Sequence, residues 1–146
     1  MGYRERSLWV SLGAVALVDT LYFFMVLRGW WAGAPLTAGG LIGLLLGIAC
    51  LLVVIELGFV LGNARQREPM DERDEAIAAR AARFAYGVFA FGVLVALLLH
   101  LVNQRNLEAG GEQILSWPLF EVHFILASLV SAELARFAVA LLGYRR

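Results

Sequence analysis

Long apolar runs alternate with short polar stretches along the whole chain. Each run approaches the roughly 20 residues that an α-helix needs to cross the ~30 Å hydrocarbon core of a bilayer. The runs cover residues 8–27, 41–61, 84–102 and 119–142. The pattern therefore predicts an all-α fold, a four-helix transmembrane bundle with helices at about residues 7–28, 39–63, 72–103 and 118–143. These helices use most of the chain, so we expect residues 1–146 to form a single integral membrane domain.

The polar stretch before the third run predicts that the third helix begins outside the bilayer. Asp71 is a suitable N-cap residue, and the acidic residues that follow it favour the positive end of the helix dipole. One continuous helix from about Glu72 to about Val102 would be roughly 45 Å long, which exceeds the thickness of the hydrocarbon core. Its first three turns are therefore expected to extend into the cytoplasm or along the cytoplasmic interface.

The placement of the arginines predicts the orientation of the bundle. The N-terminus, the middle loop and the C-terminus hold nine arginines, whereas the other two loops hold one each, Arg28 and Arg105. Loops rich in arginine stay on the cytoplasmic side, and short loops favour antiparallel neighbours. We therefore expect up-down topology in the inner (plasma) membrane, with both termini in the cytoplasm.

The composition agrees with a membrane protein and excludes two other classes. Apolar residues make up 61% of the chain, against a usual 45–50%. Twelve basic and twelve acidic residues cancel, and no basic stripe is present, so nucleic acid is not a predicted partner. The single cysteine, Cys50, cannot form an intramolecular disulfide, which excludes the thiol oxidoreductases that need cysteine pairs.

The entry into the third helix resembles a known family. Residues 71–74 read DERD, and they are followed by Ile77, Arg80 and Tyr86 at the start of a transmembrane run. This arrangement is similar to that of the DUF2178-like proteins, small bacterial and archaeal membrane proteins of unknown function with an acidic-arginine motif before the third of four helices. The resemblance implies a four-helix topology and no reaction. Some members occur beside small helix-turn-helix regulators, which implies a sensing or regulatory role.

Ionisable residues inside the predicted spans are candidates for function, because a charge within a bilayer is costly. Glu56 in the second helix and Glu133 and Arg136 in the fourth are expected at similar depth. Glu133 and Arg136 are three residues apart and share a helix face. Two interpretations stay open for these three residues: an ion pair in which the arginine serves both carboxylates, or a proton or substrate site.

Two further candidate sites lie elsewhere in the spans. Asp19, near mid-membrane, shares a helix face with Tyr22, so it either hydrogen-bonds locally or lines a cavity that handles a proton or a ligand. His100 and His123 lie near the outer ends of the third and fourth helices. They either bind a metal or haem or lie at the level of the headgroups. Glu121 is expected to point away from His123.

Two surfaces are candidates for protein contacts. Gly39, Gly43 and Gly47 are spaced by four residues, which is typical of close helix packing, either within the chain or in a homodimer. The start of the third helix is either a solvated helix end or a cytoplasmic docking surface. The residues of that predicted surface are Asp71, Glu72, Arg73, Asp74 and Arg80.

The leading functional hypothesis is a non-enzymatic inner-membrane protein. It would be a regulatory, sensing or interaction subunit that acts on a cytoplasmic protein through the start of the third helix. Its glycine spacing allows a homodimer. Its predicted environment is the lipid bilayer, and no cofactor is predicted for it. The first alternative is a small proton- or cation-coupled transporter that uses the intramembrane carboxylates. The second alternative is a membrane protein that binds haem or a metal.

Overall fold

The structure, a computed structural model, contains four long helices. It describes residues 3–34, 37–62, 71–112 and 119–145, and within these ranges it has no strand. The helices are α1 (Tyr3–Trp31), α2 (Ala38–Gly62), α3 (Glu72–Glu108) and α4 (Phe120–Tyr144). Each contains a segment long and apolar enough to cross a membrane. The prediction of an all-α fold with four membrane-spanning helices is confirmed, although the helix ends predicted at residues 63 and 118 lie outside the described ranges.

Two helices are longer than their apolar runs predict. α1 begins at Tyr3, and α3 continues to Glu108. With 37 residues α3 is about 55 Å long. The run marks only the apolar part of a helix, and no residue between Val102 and Glu108 interrupts the backbone. The helix ends where Gly110 adopts a left-handed φ of 78°, a conformation that glycine tolerates at helix ends.

A capping box fixes the start of α3, as expected from Asp71 at the N-cap. The backbone N–H of Asp74 donates to Asp71 Oδ1 over 2.7 Å, and the backbone N–H of Asp71 donates to Asp74 Oδ2 over 3.2 Å. Together these bonds satisfy two backbone donors that a helix start otherwise leaves without partners.

The helices pack in the spatial order α2, α1, α4, α3. The contacts between α3 and α4 join Asp74 to Tyr144 near one end and His100 to Glu121 near the other, so these two helices run antiparallel. α1 also runs antiparallel to α4. Tyr22, in the second half of α1, contacts His123 near the start of α4, whereas Arg4 near the start of α1 lines a cavity with Tyr144 at the end of α4. α2 lies at one side of the bundle and packs mainly against α1. The direction of the bundle across the membrane stays a prediction.

Small residues let the helices approach one another, while large apolar side chains point outward. Alanine is the most frequent buried residue type, with Ala14, Ala81, Ala85, Ala96, Ala132 and Ala140 each at most 7% exposed. By contrast, large side chains on every helix are more than half exposed, among them Phe24, Leu46, Phe91 and Leu142. This distribution suits a bundle surrounded by lipid, in which packing of small residues rather than a hydrophobic core holds the helices together.

Candidate functional site

Asp74 connects three helices at one end of the bundle, which we call the Asp74 end. Its side chain forms an ion pair with Arg4 of α1, and it accepts a hydrogen bond from the hydroxyl of Tyr144 in α4 over 2.7 Å. The Asp74 and Arg4 side chains are only 12% and 19% exposed. Asp74 was predicted as part of a docking surface, but the structure places it inside the bundle, because it lies on the side of α3 that faces α4.

The other predicted docking residues remain at the surface. Asp71 caps α3 and is exposed. Glu72, Arg73 and Arg80 are also exposed, and they lie within about 100° of one another around the helix axis. Asp74 lies on the opposite side of the same turns. The start of α3 therefore has one side fixed against the bundle and one charged side that is exposed.

An open cavity of about 620 Å³ lies at the Asp74 end. α1, α3 and α4 form its walls, which include Arg4, Asp74, Arg136 and Tyr144. Arg136 thus extends from its position on α4 toward the same region as the Asp74 ion pair. Two guanidinium groups and one carboxylate therefore line this cavity.

The structure separates the predicted cluster of Glu56, Glu133 and Arg136 into two interactions. Arg136 donates to Glu133 Oε2 from Nε over 2.9 Å and from Nη2 over 2.7 Å. Glu56 instead accepts a hydrogen bond from the hydroxyl of Ser11 over 2.5 Å. Among the described residues Arg136 forms no hydrogen bond or ion pair with Glu56, because α2 packs against α1 and the Glu56 carboxylate faces that helix. The similar depth predicted for the three residues therefore does not bring Glu56 into a hydrogen bond with Glu133 or Arg136.

The two histidines have different partners. Nδ1 of His123, which is buried, lies 2.6 Å from the hydroxyl of Tyr22 in α1. Nδ1 of His100 lies 3.1 Å from Glu121 Oε1. Within the part of the chain that the structure describes, no three His, Cys, Asp or Glu side chains are placed to hold a metal ion. Each histidine instead connects two helices, α1 with α4 and α3 with α4.

The contact between Tyr22 and His123 is expected to stabilise the packing of α1 on α4. A Tyr22→Phe variant keeps the ring and loses the hydrogen bond, so its free energy of unfolding should fall by about 1 kcal/mol. Titration with SDS in detergent micelles, followed by circular dichroism, measures this change. Tyr86→Phe is the control, since Tyr86 is 74% exposed. Equal stability of the two variants would contradict a stabilising role for the hydrogen bond.

A second cavity, of about 250 Å³, lies deeper in the bundle between α1, α2 and α4. Its polar groups are Asp19, Tyr22 and Glu133, and its remaining walls are aliphatic. The carboxyl groups of two different helices therefore line one mostly apolar space. Glu56 is not among the lining residues. This arrangement agrees with the interpretation that Asp19 lines a cavity, and it brings Asp19 together with Glu133, which the sequence did not predict.

The glycine face of α2 is open. A Cβ atom built on Gly39, Gly43 or Gly47 would have no atom within 4 Å. Close packing within the chain, one of the two interpretations of this spacing, is therefore absent among the described residues. A close glycine contact exists elsewhere: a Cβ on Gly92 of α3 would overlap the side chain of Ser128 in α4. The homodimer through the α2 face stays a prediction.

Three residues at these sites were not identified from the sequence. Arg4 and Tyr144 bind Asp74, and Ser11 binds Glu56. Arg4 and Tyr144 are each 70 residues away from Asp74 along the chain, so no local spacing connects them. Ser11 could have been identified as a candidate, because it is a polar residue in an apolar run and a hydroxyl group in a membrane helix needs a hydrogen-bond partner.

The comparisons with known proteins give a family and no activity. The model of a family described as "Predicted membrane protein (DUF2178)" matches residues 11–146. The comparison with curated proteins and the comparison with solved structures each found no match. The match covers all four helices except the first residues of α1, and it therefore includes every site above apart from Arg4.

Proposed function

We propose, from the premise that this chain belongs to the DUF2178 family of predicted membrane proteins, that it is a regulatory or interaction subunit of the inner membrane. In this proposal both termini lie in the cytoplasm, and the protein acts on a cytoplasmic protein. The contact is made by the exposed side of the first turns of α3. We call this side the docking surface and define it by Glu72, Arg73 and Arg80.

The observation that carries this proposal is the attachment of Asp74 to two other helices. Arg4 and Tyr144 hold the buried side of α3, while the docking surface on the opposite side stays exposed. A helix that only ended in solvent would need no such attachment. Because a partner would meet a preformed surface, little conformational entropy would be lost on binding. Any shift of α1 or α4 at this end would also move the docking surface.

The length of α3 agrees with this function. At about 55 Å the helix is longer than the ~30 Å hydrocarbon core. The apolar part begins near Phe84, so the turns from Glu72 to Arg83 lie beyond it. These turns contain charges of both signs, which suits recognition of a protein surface rather than of a polyanion.

Copurification with charge-reversal variants tests the proposal. The intact protein is solubilised from its native membrane beside an Arg73→Glu/Arg80→Glu variant, which leaves the capping box and the Asp74 ion pair unchanged. Arg105→Glu is the matched control, since Arg105 is exposed at the other end of the same helix. We expect the wild type and the control to retain the same cytoplasmic protein, and the double variant to lose at least about tenfold of it, since charge pairs contribute a few kcal/mol to binding.

Two results would contradict the proposal. If all three forms retained the same cytoplasmic protein equally, that protein would have to bind elsewhere on the molecule. A wild type that retains no cytoplasmic protein above an unrelated membrane protein of the same size would remove the docking function. Photo-crosslinking from position 73, compared with position 98 on the exposed apolar side of α3, gives the same comparison without solubilisation.

A further inference from the structure

We propose that the cavity between α1, α2 and α4 is a binding site for a small lipophilic cation, an organic ammonium ion with an apolar body, and that the Asp19 carboxylate is its counter-ion. This site is separate from the docking surface, and its occupation does not depend on the proposed cytoplasmic partner. The charges that line the cavity, the nature of its walls and its size all favour such a ligand.

The charges favour a cation. Glu133 already has a counter-ion, because its Oε2 accepts two hydrogen bonds from Arg136. Glu56 of α2 does not line the cavity, and it accepts a hydrogen bond from Ser11. Asp19 differs from both: among the described residues its side chain has no hydrogen bond and no ion pair. The cavity therefore holds one carboxylate that a ligand can neutralise, and a single positive charge matches it.

The walls favour an organic ion over a metal ion. Apart from its three polar residues the cavity is lined by aliphatic side chains, among them Val18, Ile48, Leu52 and Leu126. A metal cation requires several oxygen or nitrogen ligands, which these walls do not supply. An ammonium group on a hydrocarbon body can instead place its charge at Asp19 and its apolar part against the aliphatic side chains. Tyr22 also lines the cavity, and aromatic residues near a bound ligand can attract a cation.

The size and position of the cavity limit the ligand further. Its volume of about 250 Å³ is below the roughly 300–1,000 Å³ of sites for drug-sized molecules. This volume fits a molecule such as a phenylalkylamine. Ala49 and Leu129 in the cavity wall are exposed on the lipid-facing surface. A lipophilic ligand that first partitions into the bilayer can therefore reach the cavity from the side.

A matched pair of ligands tests the role of the charge. The full-length protein in nanodiscs of zwitterionic lipid is titrated calorimetrically at pH 7.5 with 4-phenylbutylammonium and with the neutral 4-phenylbutanol, and empty nanodiscs give the correction for partitioning. We expect the ammonium ion to bind at least about tenfold more tightly than the alcohol, because only the ion is attracted to the carboxylate. Asp19→Asn should reduce this preference to less than about twofold. Asp19→Glu, which keeps the charge, should retain it, and this variant also controls for a general effect of substitution at Asp19.

Two further variants define the site. Glu56→Gln removes an intramembrane carboxylate that does not line the cavity, and it should leave the preference unchanged. Ala49→Phe places a large side chain at the lipid-facing edge of the cavity and should weaken saturable binding of both ligands. The absence of saturable ammonium binding to the wild type would overturn the proposal. So would equal affinity for the two ligands, an undiminished preference in Asp19→Asn, or unaltered binding in Ala49→Phe. None of these results depends on the copurification experiment, so the two proposals can fail separately.

Discussion

Replacement of Asp74 by asparagine is expected to lower the free energy of unfolding by about 3 kcal/mol, the largest effect of any single substitution at a polar site of this protein. Asparagine has nearly the same shape and can still accept the hydrogen bond of the capping box. It has no charge, however, so the largely buried guanidinium group of Arg4 would lose its ion pair with the Asp74 carboxylate. Loss of one member of a buried ion pair costs more than the pair itself contributes, because the remaining charge is not solvated.

The measurement is an SDS titration of the protein in detergent micelles, followed by circular dichroism. Glu75→Gln is the matched control: Glu75 is the next residue of α3, and it is exposed, so its replacement should change stability by less than about 0.5 kcal/mol. An Arg4→Gln/Asp74→Asn double variant should be more stable than Asp74→Asn alone, since it removes the buried cation as well. An Asp74→Asn variant as stable as Glu75→Gln would mean that the ion pair does not hold the Asp74 end together.

The fold was predictable because the bilayer limits the possible structures. A chain that crosses ~30 Å of hydrocarbon must satisfy its backbone within each segment, so an apolar run of about 20 residues indicates a helix with few alternatives. The N-cap at Asp71 was predictable for a different reason, because capping depends only on residues within one turn. The ends of α1 and α3 were not predictable from the same signal, since helical backbone continues into polar sequence until a residue such as Gly110 stops it.

The partners of the intramembrane charges were only partly predictable. Glu133 and Arg136 lie on one helix, so their spacing was enough to indicate the ion pair. Glu56 lies on another helix, and its position in the sequence indicated only its depth in the bilayer. Its contacts also depend on the rotation of α2 about its own axis and on the order in which the helices pack. The structure places α2 beside α1, and Glu56 therefore faces Ser11.

At the docking surface, too, the sequence did not indicate which side chains point toward the bundle, although all of them lie on one helix. The DERD motif at residues 71–74 is predicted to form either a solvated helix start or a docking surface, but successive residues of a helix point in directions about 100° apart. Asp71 and Asp74 are used in the capping box, and Asp74 also binds α1 and α4. Only Glu72 and Arg73 of the motif remain for a partner. A variant that neutralises the whole motif would therefore damage the fold, whereas changes at Arg73 and Arg80 test the surface alone.

Replacement of Gly92 by alanine is expected to lower the free energy of unfolding by about 2–3 kcal/mol, because it forces α3 away from α4. The new Cβ would overlap Oγ and Cβ of Ser128 and lie 3.5 Å from its Cα. Rotation of the serine cannot relieve the overlap, since its Cβ is fixed by the backbone. The hydroxyl is also held by a hydrogen bond to the carbonyl oxygen of Phe124 over 2.8 Å. The two helices must therefore separate along their interface.

Gly87→Ala is the matched control for this substitution. Gly87 lies on the same helix, but a Cβ there would meet no atom within 4 Å, and alanine favours the helix by up to about 1 kcal/mol over glycine. This variant should be at least as stable as the wild type in the same SDS titration. A Gly92→Ala/Ser128→Gly double variant moves the side chain from α4 to α3 and should recover part of the lost stability, because the volume at the contact is nearly restored. If Gly92→Ala is as stable as Gly87→Ala, α3 does not approach α4 closely at Ser128. Small residues would then not determine the packing of these two helices.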